Sequence, residues 1–581
     1  MKLKEKINIV FRNFINVEKF TEGYLMATLE KSKIFSTPKM DSRIKSANVQ
    51  SSERWLGYFA GPGMLFIAYY VIAGTYLNVF YTDVLKVSGI WGGLFLTIMP
   101  VISKIIDAIT NIVMGQIVQK TKTRQGKARP WVLISGPIVA IAGILLYAVP
   151  NSSETVQVIW ITISYNLYFA LAFTIYNMSH TLMVPLSTRN TKQRDGLALF
   201  NNMGTAMLPG ALVYMLFPLL AIPWMGVDKG RWLTVMSIFS IISLVAAFVE
   251  YFFTKERITE DSSSKEKDEI PFKTQLKMCF SDKYWVLIII FWLVWQIYNN
   301  WMSTSLVYYC NWVLGTYGDG GTQAILNAVG QAPLGFGVFL LWPIAKKLGK
   351  RKTLMFGMLL SAAGALIGWL QPHNMMVVIL SLLIRSFGLL PTYLMAAMLA
   401  EALDHIEWKN GVRCDGFSAS MVSITVTMGM GIAIGLFNLG LGVLGYQAPA
   451  ADGTWVAQSE GVQNYFTFGY FGLPMIVFLI VFVIAIFYKV EKDVPQMTAD
   501  ITARHKAEAE ARGEVYLSIE EKAAIEQEEN DRIAEENRIA ELKAKCEKKG
   551  LNFDEEEAKY QEKLAAKKAK AEARAEKAKK K

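Results

Sequence analysis

Three residues at helical spacing inside one apolar segment offer chemistry. Lys104 and Asp107 stand three apart in VISKIIDAITNIVMG, and Asn111 follows one turn after Asp107. Residues three and four apart share a helix face, so the ammonium can pair with the carboxylate and the amide can join them. A carboxylate beside the oxygens of Asn111 and Thr110 suits a hard monovalent cation. A carboxylate alone can instead carry a proton. The same spacing also serves a purely structural ion pair. Charge inside a lipid-spanning segment is expensive, which makes these residues functional candidates.

Other polar groups gather in similar apolar surroundings. Asn166, Thr174, Asn177 and His180 lie in one aromatic segment, and Asn201 and Asn202 lie in the next. FWLVWQIYNNW at 291–301 brings Trp295, Gln296, Asn299 and Asn300 together. Amides bind sugar hydroxyls and aromatic faces cover sugar C–H faces, so these are candidate substrate ligands. An interfacial aromatic belt with interhelical hydrogen bonds is the plainer reading of the same residues.

The elements that hold them are membrane spans. The chain has 581 residues, 52% of them hydrophobic. The apolar residues fall into blocks of about 20 or more, enough to cross the hydrocarbon core. Six blocks lie between 57 and 254 and six between 284 and 488, which predicts an all-α membrane protein of twelve transmembrane helices. The expected parts are an amphipathic leader (1–54), a first half (55–254), a polar linker (255–283), a second half (284–488) and a charged helical tail (489–581). The leader is expected as a loose arm or a membrane-surface helix, and no cleavable signal peptide is expected. Ser518 with Glu521, and Asp554, mark expected helix starts in the tail.

Basic residues concentrate in alternate loops: Arg124, Lys127 and Arg129, then Arg189 and Lys192, then Lys350 and Arg351. The other loops, such as PNSSET and QPHNM, are nearly free of them. The basic loops, and with them both termini, are therefore expected in the cytoplasm of a multi-pass cell-membrane protein. The net charge of +11 is explained by these loops and the tail, so nucleic acid is not an expected partner. Four scattered cysteines predict neither a disulfide framework nor a zinc site. No nucleophile–base pair, metal cluster or phosphate loop is present, so an enzyme is not expected. Short basic Gly-containing turns recur at 115–133 and 343–357, at equivalent places in the two halves. Two such six-helix halves form the major facilitator pattern.

Three segments in order then resemble one family, the glycoside–pentoside–hexuronide:cation symporters. They are DAITNIVMGQIVQKTKTRQGKARPW (107–131), LVYYCNWVLG (306–315) and LDHIEWKNGVRCDG (403–416). The resemblance implies that Asp107, Lys104 and the hydroxyl of Thr174 belong to a cation site. It also implies that Asn111 replaces that site's second carboxylate. Asn177, Asn202 and Thr427 fall where the family carries charged sugar-binding residues. Most charged members of the cavity are thus neutral here, and Lys104 and Arg385 are the only basic residues within the spans. The expected cargo is accordingly a neutral glycoside or oligosaccharide rather than a uronide. Proton coupling, sodium coupling and uncoupled passage stay open, and no tightly bound cofactor is expected. His180 is expected at the substrate or proton pathway. Arg124, Lys127, Arg129, Arg413 and Asp415 are expected to hold the cytoplasmic side shut. The rivals are a carrier of a lysolipid or nucleoside, and a membrane-anchored scaffold whose tail binds a cytoplasmic partner.

Overall fold

The computed structural model describes Phe35 and residues 37–258, 271–450 and 453–579. Among them, regular structure is helical apart from one isolated bridge, Thr123–Gly126. Eleven helices are long and apolar enough to cross a membrane. Spans 1 to 7 are Glu53–Val84, Val87–Val118, Arg129–Tyr147, Glu154–Ser187, Thr191–Met225, Lys229–Phe253 and Lys283–Val313. Spans 9 to 12 are Lys350–Leu370, Met375–Asn410, Asp415–Val443 and Glu460–Lys492. Span 8 is the helix Gly320–Leu348, which completes the expected twelve.

Small residues let these helices approach. Gly61 of span 1 lies against the Glu250 backbone of span 6, and Gly136 of span 3 against Ala247. Between the halves the same device closes one side of the bundle. Gly93 at the start of span 2 faces Gly442 near the end of span 11, where an added Cβ would stand 2.7 Å from the Gly442 Cα. A Cβ on Gly320 would stand 1.6 Å from the Pro218 carbonyl oxygen. These contacts lie on the side away from the basic loops. The larger apolar cluster accordingly runs from the first half into Trp301, Leu306, Phe437 and Phe466 of the second. The other large cluster stays within the second half, with Tyr284, Met398 and Ile406 toward the basic loops. The halves are therefore joined opposite the basic loops and parted beside them.

The part of the leader that is described is neither a long helix nor a detached arm. It runs along the end of span 6, where Arg43 N donates to the Phe252 carbonyl at 2.9 Å. Residues 1–34 lie outside the described residues, as do 259–270 of the linker; a short helix, Phe272–Ser281, leads into span 7.

The tail packs on both halves. Its first helix, Val494–Ala511, lies on span 10. There Trp408 Nε1 donates to Asp500 at 2.8 Å, and Arg504 donates to the Glu407 and Trp408 carbonyls at 2.9 and 3.0 Å. The second helix, Ile519–Lys549, begins with the expected capping box of Ser518 and Glu521. It docks on the first half: Asp531 binds Asn190 at 2.8 Å and Lys192, and Glu541 accepts from Ser46 and the Ala47 N–H. The third helix, Phe553–Lys579, folds back through Arg538 and Glu557. Its start is capped by Asn552, whose side chain accepts from the Asp554 N–H at 2.9 Å, rather than by Asp554 itself. Starting two residues earlier than expected puts Asp554 inside the first turn.

Candidate transport site

Span 4 is shaped to meet span 2. Its Leu167–Phe173 turn is a π-helix, one residue wider than an α-turn, and Thr174 follows directly. The Thr174 hydroxyl lies 3.0 Å from the Phe169 carbonyl oxygen and 2.8 Å from Asp107 Oδ1, two acceptors for its single proton. Asn111 Nδ2 donates to the same carboxylate oxygen at 2.9 Å, and Lys104 Nζ donates to Oδ2 at 3.2 Å. The ammonium also sits 4.5 Å from the centre of the Phe169 ring, whose face attracts a cation. Lys104, Asp107 and Thr174, all buried, thus form one cluster with the half-buried Asn111. The Thr110 hydroxyl stays outside it, lying against the Ile106 and Asp107 carbonyls of its own helix.

The cluster touches the other half. Gly431 of span 11 packs on the Lys104 side chain, with room for a Cβ only 3.1 Å from Lys104 Cγ. Any movement of the lysine is therefore felt by span 11.

Two cavities adjoin this interface. One, of about 140 Å³, is lined by Tyr69, Tyr70, Asn78, Asn300 and Asn438, near the point where span 1 breaks at Gly74. The other, of about 250 Å³, is lined by Trp295, Asn299, Asn327, Gln331, Arg385 and Ser386. Tyr214 and Ser303 line both. Span 7 therefore presents Asn300 to one cavity and Trp295 with Asn299 to the other, because neighbouring residues on a helix diverge by about 100°. Gln296 packs at Gly429 of span 11. Asn177, Asn202 and Thr427 lie outside both linings; Thr427 donates along its own helix to the Ser423 carbonyl at 3.1 Å.

His180 is placed away from both cavities. Its Nδ1 lies 2.7 Å from Glu250 Oε1, and Tyr176 donates to Oε2 at 2.6 Å. All three are buried between spans 4 and 6. His180 lies outside both cavity linings and is joined to Glu250 within the first half. Glu250 was legible as an acid within the sixth apolar block, and the sequence reading passed over it.

The basic loop residues likewise act within each half. Arg124 pairs with Asp41 of the leader at 2.9 Å. The backbone N–H groups of Lys127, Ala128 and Arg129, at the start of span 3, donate to the Glu256 carboxylate at 2.7–2.9 Å. The Arg129 guanidinium donates to the Tyr251 carbonyl that ends span 6. Arg413 pairs with Asp404, Asp415 and Glu407 around its own loop. Each of these contacts lies within one half.

The opposite side is locked by a network that sequence reading missed. Asn438 donates to Asn78 at 2.8 Å, and Asn78 donates to Tyr308 Oη at 2.9 Å. Tyr308 Oη lies 2.7 Å from Thr82 Oγ1, and both Thr82 and Tyr446 reach Asp83, at 2.7 and 2.9 Å. Spans 1, 7 and 11 are joined by this chain. The bonds that bring Tyr308 to Thr82 and Tyr446 to Asp83 span 226 and 363 residues of sequence.

Comparison with known proteins agrees with this architecture. The family described as MFS/sugar transport protein matches residues 58–492. The isoprimeverose transporter of Lactiplantibacillus pentosus is 30% identical, over 75% of this chain and 88% of its own length. The putative glycoside/cation symporter YagG of Escherichia coli is 25% identical, over 62% of this chain and 76% of its own. Among solved structures, a bacterial homolog of the human lysosomal transporter Spinster aligns with a TM-score of 0.54 at 11% identity, covering 78% of this chain and 99% of that one. That last likeness is one of fold alone. With a family match that runs through all twelve spans, the chain belongs to the glycoside–pentoside–hexuronide:cation symporters of the major facilitator superfamily.

Proposed function

We propose that this protein carries a sugar glycoside or oligosaccharide across the cell membrane by alternating access, in symport with a cation that acts on Asp107. The observation that carries this reading is the cluster of buried Asp107, Lys104 and Thr174 with Asn111, set against span 11 and beside cavities lined by amides and aromatic rings. The basic loops and both termini lie in the cytoplasm on this reading, so the state described here faces inward. A proton is the favoured ion. Sodium would find one carboxylate whose oxygens already accept three donors, and it would have to displace an ammonium. A proton binds the carboxylate directly and frees Lys104, whose stem bears on Gly431, so loading is transmitted to the interface between the halves.

Uptake of a labelled glycoside into proteoliposomes tests this. An inward proton gradient is expected to drive accumulation above equilibrium, with no gain from a sodium gradient. Asp107→Asn is expected to equilibrate substrate without accumulating it. Normal accumulation by that variant would remove Asp107 from coupling, and uptake indifferent to both gradients in the wild type would make the protein a facilitator.

A further inference from the structure

The cavity in the second half holds a cation that no carboxylate among the described residues answers. Arg385 of span 10 is 6% exposed. Its Nη1 donates to the Tyr470 carbonyl at 3.2 Å and its guanidinium lies over the Tyr470 ring, but Nε has no hydrogen-bond partner. Among the described residues no carboxylate forms an ion pair with it. Lys104, the other basic residue within the spans, is held by Asp107. Burying a lone cation costs several kcal/mol unless a counter-charge arrives. The fork of a guanidinium matches a carboxylate or sulfonate in two hydrogen bonds. Asn327, Gln331 and Ser386 supply further polar groups around the same space. Because Tyr214 and Ser303 border both cavities, one substrate can reach from the central cavity into this one.

We propose that this cavity seats an anionic substituent of the transported glycoside, with Arg385 as its charge partner. The inference rests on the sugar-transport reading and reverses the sequence-based expectation of a neutral cargo. Titration calorimetry on the purified protein, with a panel of methyl glycosides each paired with its uronide, tests it. The uronide is expected to bind at least about tenfold more tightly than its neutral partner, as a charge-assisted hydrogen bond allows. Arg385→Gln is expected to bring that ratio to about one and Arg385→Lys to restore part of it. Equal or tighter binding of the neutral partners to the wild type would overturn the proposal and leave sugar transport standing. Binding of neither kind would overturn both.

A separate observation concerns the tail. Its first helix is fixed to the second half and its second helix to the first half and leader, on the side where the halves are parted. Seven residues, 512–518, connect the two helices. Rocking to the other state must bring these anchor points together, and the two docked helices occupy the side that has to close. We infer that the tail is a strap that holds the basic-loop side open and slows closure. The docking is electrostatic, with Asp531 and Glu541 meeting Lys192, Asn190 and the leader, so charge reversal should release it.

Spin labels at exposed positions 195 and 352, on the basic-loop ends of the two halves, read the gap in the full chain. In the Asp531→Lys, Glu541→Lys variant the distance distribution is expected to gain a shorter population and the turnover rate to rise. Adding Lys192→Asp is expected to restore part of the original distribution. Unchanged distances and turnover in the charge-reversed protein would overturn the strap.

Discussion

Asp107 and Glu250 are both buried carboxylates with a basic partner nearby, yet their surroundings assign them different work. Asp107 lies at the interface of the halves, where Lys104 touches span 11. Glu250 is enclosed within one half, with Tyr176 and His180 filling its oxygens. Glu250→Ala should therefore cost about 3–5 kcal/mol, the usual penalty for breaking a buried pair, read as a lower melting temperature in detergent. Asp107→Asn should instead show its effect in accumulation. Spacing alone made the Lys104–Asp107–Asn111 face legible, because its members sit within two turns of one helix. It could not place Thr174, which only the resemblance implied, nor separate His180 from the substrate path. Those depend on which face of span 4 meets span 2 and which meets span 6.

Among the elements, span 7 shows what periodicity conveys and what it leaves out. Its amides and tryptophans were visible as a cluster, but their division between two cavities follows from the packing of spans 5, 10 and 11 around it. The lock opposite the basic loops was illegible for the same reason: Asn78, Tyr308 and Asn438 look like ordinary span residues until three helices converge. That lock depends on glycine contacts. Gly442→Ala should push span 11 off Gly93, since its Cβ would stand 2.5 Å from the Gly93 Cα. The closed side should then open more often. Cys310, buried near that end of span 7, reports it: a membrane-impermeant maleimide is expected to label Cys310 faster in the variant than in the wild type.

At the scale of the whole molecule, the twelve spans and the six-plus-six division were legible because lipid demands long apolar helices. The docking of the tail was not, since its Glu- and Lys-rich helices also suit free solution. Its hold has a pH limit. The hydrogen bond from Lys192, with others from Asn190 and Gln527, lowers the Asp531 pKa below its ordinary 3.8. Docking through Asp531 is thus fully supported above that ordinary value and fades as pH falls through the lowered one. Proteolysis at 512–518 should stay slow at pH 5 and quicken near pH 3, reading release directly. The Lys104–Asp107 pair bears on the electrical behaviour of the full cycle. One ammonium and one carboxylate leave the unloaded cation site neutral, so the net charge moved per cycle is that of the cargo. A bound cation adds one positive charge, worth about 2.3 kcal/mol per 100 mV. A neutral glycoside would therefore travel with a current that an inside-negative potential accelerates. An acidic one, cancelling the cation it travels with, would cross silently.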